Sequence, residues 1–133
     1  MFESIDRVVT RGELEAAISD LIVKFELEYF GRGPQQIRTH LIGDMLLVRM
    51  SGVLTPSELR LVRGANSAAA TVLLKRMRTQ LIETATPLIQ LIVKKVTQVN
   101  VVSMMYDLGL ATDEEIILLT LSNAPDCCET AMS

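Results

Sequence analysis

The chain has 133 residues and a net charge of −3, with 49% apolar and 22% charged residues, a composition typical of one globular domain rather than of a disordered segment. The acidic balance argues against a protein whose main partner is nucleic acid or an anionic lipid surface, because those partners are bound by clustered Lys and Arg side chains. The longest apolar runs fall far short of the ~20 residues that cross a bilayer, and the N-terminal residues lack an apolar signal core, so we expect neither a membrane span nor an export signal.

The first predicted element is an amphipathic helix that begins near Thr10. Thr10 and Glu13 have the spacing of a capping box. Apolar residues then recur three and four positions apart, as on one face of a helix. These residues are Leu14, Ile18, Leu21, Phe25 and Tyr29. Gly31 follows the stripe at the position where a left-handed residue usually ends a helix.

The segment "GRGP", residues 31–34, has two interpretations. It is not a phosphate-binding or dinucleotide-binding loop, because it lacks the glycine spacing of those motifs and leads into a strand. In the first interpretation it is only a turn, in which Gly33 adopts a backbone conformation that other residues resist and Pro34 stiffens the entry to the strand. In the second, Arg32 is also held in place for an anion or for a carboxylate of a partner.

A β-hairpin is predicted next. Two apolar-rich runs, Ile37–Ile42 and Met45–Met50, are separated by Gly43-Asp44, a pair that fits a two-residue primed turn. Because side chains alternate between the two faces of a strand, one face should join the core. Its residues are Ile37, Thr39, Leu41, Leu46, Val48 and Met50. The other face carries Arg38, His40, Ile42, Met45, Leu47 and Arg49, with Arg38 directly opposite Arg49.

The strongest helix start in the chain is "LTPSEL". Thr55 is the predicted N-cap, Pro56 takes the first helical position and Glu58 completes a capping box. The apolar spacing predicts one long helix from there to Leu81. Thr86-Pro87 predicts a new turn or a kink, followed by a short helix that ends near Val96.

Two further strands, Val99–Tyr106 and Ile116–Leu121, are predicted on either side of a loop, "DLGLATDEE". The element order α-β-β-α-α-β-β predicts an α+β fold, a two-layer sandwich with helices packed on an antiparallel sheet of about four strands. Residues 1–121 should form a single domain and residues 122–133 a flexible tail. Adjacent cysteines rarely form a bridge with each other, so Cys127 and Cys128 are expected to be incidental thiols of a reducing cytosol.

No catalytic or metal site is predicted. His40 is the only histidine, and the two tail cysteines have an unsuitable spacing for a metal site. Nothing in the local sequence marks a nucleophile beside His40. We therefore expect a protein that is not an enzyme and that needs no cofactor.

The mixed face of the hairpin is the candidate binding site. The pair of Arg38 and Arg49 is mildly unfavourable by itself, and it is either solvated or neutralised by an acid or an anion. The proposed site consists of Arg32, Arg38, His40 and Arg49. Apolar residues on the same face give the mixture that is typical of a protein interface. The second strand pair is apolar on both sides in places, so either helices lie on both faces of the sheet or a second subunit covers it. Three helices of one domain hardly cover both faces, which predicts a homodimer.

The order of the short motifs resembles the bacterial MpsC family, named for a Na+-translocating membrane-potential-generating system. The likeness spans roughly Gly12 to Leu121, and the cysteines of the tail fall outside it. The matching positions are Gly31, Arg32, Gly33, Pro34, Gly43, Asp44, Gly52, Leu54, Thr55 and Glu58. Several of them have a structural explanation as turn glycines, a helix cap and a capping-box acid, and the family implies no catalytic set.

The resemblance implies a small soluble bacterial protein of the cytoplasm. It would be an accessory subunit of a membrane system for cation-coupled transport or inorganic-carbon supply, and a partner such as a membrane transport protein would hold it at the inner membrane. The first hypothesis is therefore a non-enzymatic accessory or regulatory module that docks on a protein through the hairpin face. The alternative is a sensor of a small anion, bicarbonate or a phosphorylated ligand, held by Arg32, Arg38 and Arg49. RNA binding is a third hypothesis, and the acidic charge and the lack of sheet aromatics count against it.

Overall fold

The computed structural model describes residues 9–127. The helices are α1 (Arg11–Phe30), α2 (Pro56–Val62), α3 (Ser67–Thr84) and α4 (Thr86–Thr97), and the strands are β1 (Gln36–Ile42), β2 (Met45–Ser51), β3 (Val101–Gly109) and β4 (Glu114–Leu121). The strands form one antiparallel sheet in the order β1-β2-β4-β3, and the helices pack on one face of it. The predicted α+β fold is confirmed. Within the described residues, none of these helices has the length and the apolar content needed to cross a bilayer.

An aliphatic core fills the space between the helices and the sheet. Fully buried side chains of α1 and α4, such as Ile18, Ile22 and Ile89, meet the inward side chains of the two central strands, such as Val48 and Ile117. Each buried aliphatic side chain of this size contributes about 1.5–3 kcal/mol to the free energy of folding. The core therefore supplies the main stabilisation of the fold.

The first helix and the first hairpin follow the predicted signals. Thr10 and Glu13 form the capping box, with both hydrogen bonds at 3.0 Å, and Gly31 ends α1 with a φ of 76°. The register of the hairpin is the predicted one, with Arg38 opposite Arg49. In the turn, Gly43 has a φ of 62° and Asp44 is not in the positive-φ region, which is the pattern of a type II′ turn.

The conformational role predicted for Gly33 is wrong. Among the described glycines, positive φ occurs at Gly31, Gly43 and Gly52 and not at Gly33. A Cβ atom added at Gly33 would lie 3.5 Å from Cγ1 of Val23, which is an ordinary contact distance. The turn after α1 therefore depends on the left-handed conformation of Gly31.

The single long helix predicted after Thr55 is also wrong. The capping box of Thr55 and Glu58 is present, but α2 ends at Val62 and α3 begins at Ser67. Gly and Asn in the intervening "RGAN" are weak helix formers. In one straight helix Glu58 and Arg78 would be separated by about 30 Å, whereas the turn brings their side chains to 3.2 Å. The break between α2 and α3, which apolar periodicity did not reveal, therefore lets Glu58 and Arg78 form an ion pair.

The second hairpin has longer strands and a shorter loop than predicted. Its strands extend to Gly109 and begin again at Glu114, so most of "DLGLATDEE" is strand. Asp113 in the connection has a φ of 55°, and its Oδ1 accepts hydrogen bonds from the N–H groups of Val53 and Leu54, both at 2.9 Å. These bonds tie the second hairpin to the segment that leads into α2.

The flexible tail predicted for residues 122–133 stays a prediction. Within it, Pro125 is buried and Cys127 packs partly against the core. Cys128 lies outside the described residues.

Gly52 provides a test of the junction between the hairpin and α2. Its φ is 66°, and a Cβ atom there would lie 2.6 Å from the Gln35 side chain. We expect Gly52→Ala to lower the free energy of unfolding by about 1–3 kcal/mol, because the backbone is in the left-handed region and the site is crowded. Urea denaturation measures this change. The matched control is Gly12→Ala in α1, where an added Cβ atom would meet no described residue within 4 Å beyond its neighbours in the helix and alanine favours the helix. Equal effects of the two substitutions would contradict the expectation.

Candidate functional site

The sheet face opposite the helices, here called the outer face, carries three rows of side chains that cross all four strands, and a fourth row of Gln36, Ser51 and Glu114 ends at Gly109. Read from β1 through β2 and β4 to β3, the first row is Arg38, Arg49, Ile116 and Asp107; the second is His40, Leu47, Leu118 and Met105; the third is Ile42, Met45, Thr120 and Ser103. Apolar side chains on it are well exposed, 54% for Ile42, 59% for Met105 and 37% for Ile116. The face therefore combines an apolar middle with charged and polar margins, as a protein interface does.

The outer face carries opposite charges on its two edge strands, Arg38 on β1 and Asp107 on β3, and an ion pair on its two central strands. Arg49 is held by Glu114 of β4, with Nη2 at 2.6 Å from Oε2, and the hydrogen bond from Arg49 lowers the pKa of Glu114 below its ordinary value. Arg38 on the edge strand β1 has no hydrogen-bond or ion-pair partner within residues 9–127. At the other edge, Asp107 carries a carboxylate that is 78% exposed and lies 3.1 Å from Nζ of Lys75.

The structure brings together three of the four residues of the predicted site. Arg38, His40 and Arg49 share the outer face, in the arrangement that the hairpin register predicted. Arg32 lies in the segment before β1 and belongs to none of the three rows, and its Nε is buried without a hydrogen-bond partner. Because side chains alternate between the two faces of a strand, the sequence could have indicated which residues of β3 and β4 share one face. The register between β2 and β4, however, is formed by residues far apart in the chain.

A shallow depression of about 200 Å³ lies at the end of the outer face, where Arg38 and Arg49 meet Glu114. Arg32 does not line it. An anion at this place would meet the carboxylate of Glu114, which already neutralises Arg49. The anion-sensor hypothesis stays untested, and this geometry does not favour it. The outer face also has no aromatic side chain, so it lacks the stacking surface that sheet-based RNA binders use.

Sequence reasoning missed a buried charge cluster between the helices and the sheet, here called the Arg78 cluster. Arg78 of α3 is fully buried, and its guanidinium lies 3.7 Å from Glu26, 3.2 Å from Glu58 and 3.4 Å from Glu115. Tyr106 of β3 donates a hydrogen bond to Glu115. The cluster therefore links α1, α2, α3, β3 and β4. One signal was available: Arg78 lies four residues after Leu74 and four before Ile82, within the buried stripe of its helix.

The protonation of the Arg78 cluster is set by its burial. Burial, followed by the neighbouring Glu115, raises the pKa of Glu26 to about 10, so Glu26 is protonated at neutral pH. Burial and Glu115 also raise the pKa of Tyr106, which keeps the phenol protonated as a donor. Glu26, Arg78 and Glu115 are fully buried, so no substrate reaches these three side chains. Within the described chain, no group of His, Cys, Asp and Glu side chains is arranged to hold a metal ion.

The sequence of the chain is similar to a known protein family and to a curated relative. The family described as the Na+-translocating membrane potential-generating system (MpsC) matches residues 10–123. The chain is also similar to the uncharacterized protein YbcI of Bacillus subtilis strain 168, with 32% identity over 114 residues, which cover 86% of this chain and 90% of YbcI. No solved structure gives a significant match. The chain belongs to the MpsC family, and the resemblance drawn from its motifs is confirmed.

Proposed function

We propose that this protein is a non-enzymatic accessory or regulatory subunit that acts by docking on a protein through the outer face of its sheet. The observation that carries the proposal is the outer face itself, in which exposed apolar side chains lie beside Arg38, and within residues 9–127 no element covers the face and no acidic group pairs with this arginine. Monomeric proteins rarely leave a contiguous apolar area of this kind open to water. The family description supports a setting in a membrane assembly that moves Na+, where the chain would be an accessory to the membrane-spanning subunits.

The face of the sheet is a better docking surface than its β1 edge. The backbone N–H of Leu41 on β1 donates to Oε2 of Glu15 at 2.8 Å. The hydroxyl groups of Ser19 and Thr39 lie 2.8 Å apart, so α1 is fastened along this strand. A covered edge cannot readily accept an additional strand from a partner. Binding by strand addition is therefore disfavoured at β1, whereas the outer face stays open.

The proposal is tested by placing a photo-crosslinking amino acid at Leu118, in the middle row of the outer face, in the native bacterial cell. We expect an adduct of defined mass, because a docked protein would lie within reach of this side chain. The control position is Gln80, which is exposed on α3 on the opposite side of the domain from the sheet face. If Leu118 gives no adduct beyond the background at Gln80, the outer face is not a docking surface and the proposal is wrong.

A further inference from the structure

We propose that the partner of the outer face is the outer face of a second copy of this chain, related by a two-fold axis that runs parallel to the strands between β2 and β4. This inference rests on the proposed function, because it names the occupant of the same surface. It also specifies the geometry of the pair. Symmetric dimers use one patch twice, so the patch has to be complementary to itself when it is turned over.

The register of the sheet allows this complementarity to be worked out. When two sheets face each other, the two-fold axis lies in the plane between them. An axis parallel to the strands reverses the order of the strands and keeps each row opposite itself. In the first row, Arg38 then lies opposite Asp107 of the partner subunit. In the second row, Leu47 lies opposite Leu118 of the partner subunit.

The other simple axis, perpendicular to the strands, gives a poor match. It keeps the strand order and exchanges the first row with the third. Arg38 would then lie opposite Ile42 of the partner subunit, and Asp107 opposite Ser103 of the partner subunit. A cation covered by an apolar side chain loses water without gaining a counter-charge. The perpendicular axis places each strand opposite its own copy, so Arg38 and Asp107 cannot face each other, whereas Arg49 lies opposite an apolar side chain under either axis. The charges of Arg38 and Asp107 therefore favour the axis parallel to the strands.

Both members of the proposed intersubunit ion pair are available. Arg38 has no hydrogen-bond or ion-pair partner in the described part of the chain. Asp107 uses Oδ1 for its contacts with the backbone N–H of Leu108 at 2.8 Å and with Lys75 at 3.1 Å. Its Oδ2 can accept the guanidinium of a partner. The symmetry forms this pair twice, once at each end of the first row.

The size of the face sets the expected strength of the dimer. Four strands spaced by about 4.8 Å and rows covering about 23 Å of strand give a surface of roughly 19 by 23 Å. Facing sheets of this kind pack with their strands at about −30°, which keeps the central rows in contact. Stable interfaces bury about 800 Å² on each partner, and the outline of this face, about 440 Å², lies below that size. We therefore expect a dimer whose population rises with protein concentration.

The experiment is a charge exchange followed by sedimentation velocity over a range of protein concentrations, with circular dichroism to confirm folding. Arg38→Asp alone brings two carboxylates together at each end of the interface, and Asp107→Arg alone brings two cations together. Each single variant should weaken self-association about tenfold or more, because like charges oppose each other. An equimolar mixture of the two variants should form the heterodimer, since one of its two ion pairs is the native pair of Arg38 with Asp107 and the other is restored with exchanged sign. Leu118→Lys should abolish association.

The outcomes separate this inference from the proposed function. Recovery of association in the mixture supports the dimer and its axis. A wild-type chain that stays monomeric at every concentration overturns the dimer, while adducts from Leu118 to another protein would leave the docking proposal intact. A dimer that is indifferent to Leu118→Lys uses another surface, and this result also overturns the inference. Weakened single variants without recovery in the mixture would show that Arg38 and Asp107 are not paired across the axis.

Discussion

Replacing Arg78 with methionine is expected to lower the free energy of unfolding by about 3–5 kcal/mol, because removal of one partner leaves the other buried charges without compensation. The guanidinium lies within 3.4 Å of both Glu58 and Glu115 and is stacked 4.1 Å from the ring centroid of Phe30. A thioether can pack against the ring of Phe30, but it cannot form either ion pair. Urea denaturation at neutral pH measures the change.

The control for this experiment is Arg76→Met, two residues earlier on α3, where the arginine is exposed. Its effect should lie within about 0.5 kcal/mol of zero, as for most surface substitutions. Adding Glu115→Gln to Arg78→Met should recover part of the loss, since the double variant no longer buries an uncompensated carboxylate. If the Arg78 and Arg76 variants are equally stable, the Arg78 cluster does not stabilise the fold.

The free energy of unfolding of the wild-type chain is expected to fall as the pH rises because of Glu26, and Glu26→Gln should remove this fall. The pKa of Glu26 rises from 4.5 to about 10 in the folded chain, so the folded state retains a proton that the unfolded state releases. The contribution of this group is complete below pH 4.5 and is lost as the pH rises towards 10. In this interval the stability of the wild-type chain should fall by up to about 1.4 kcal/mol per pH unit on account of Glu26.

The free energy of unfolding of the wild type and of Glu26→Gln is measured at several pH values from about 6 to about 9, and the two proteins are compared at each pH. Gln is neutral at every pH, so the stability of Glu26→Gln relative to the wild type should increase steadily as the pH rises. Glu28→Gln in the same helix is the control, because Glu28 is exposed. Parallel pH profiles for Glu26→Gln and the wild type would show that Glu26 is ionised in the folded protein.

The Arg78 cluster and the outer face are joined through one strand. Glu115 points into the cluster, whereas its neighbours Glu114 and Ile116 point to the outer face. A variant that loosens the cluster can therefore disturb the outer face without touching it. For this reason the docking experiments change outward side chains such as Arg38 and Leu118, whose replacement leaves the buried contacts of Arg78 in place.

The parts of the fold that the sequence predicted correctly depend on local interactions. The capping boxes of Thr10 and Thr55, the left-handed end of α1 at Gly31 and the two-residue turn at Gly43 each involve residues within four positions of one another. A two-residue turn sets the register of its hairpin, so the pairing of Arg38 with Arg49 could also be predicted. The same pairing predicted the basic half of the outer face.

The sequence failed where contacts between distant residues decided the structure. Apolar periodicity continued through "RGAN", and nothing nearby showed that Glu58 would fold back to contact Arg78. Likewise, nothing nearby in the sequence showed that the carboxylate of Asp113, between β3 and β4, would accept hydrogen bonds from the backbone of Val53 and Leu54. Periodicity describes one element at a time, and such contacts join residues that lie 20 or more positions apart.

The sequence by itself determined the α+β class, the order of the elements apart from the break between α2 and α3, the first hairpin and membership of the MpsC family, because turns, caps and alternation are short-range properties of a chain. Only the tertiary structure decided that β4 lies between β2 and β3, and this order places Arg38 at one end of a charged row and Asp107 at the other. It also decided that Arg78 and Glu26 are buried together. Both results follow from packing, which brings side chains into contact without regard to their separation in the sequence.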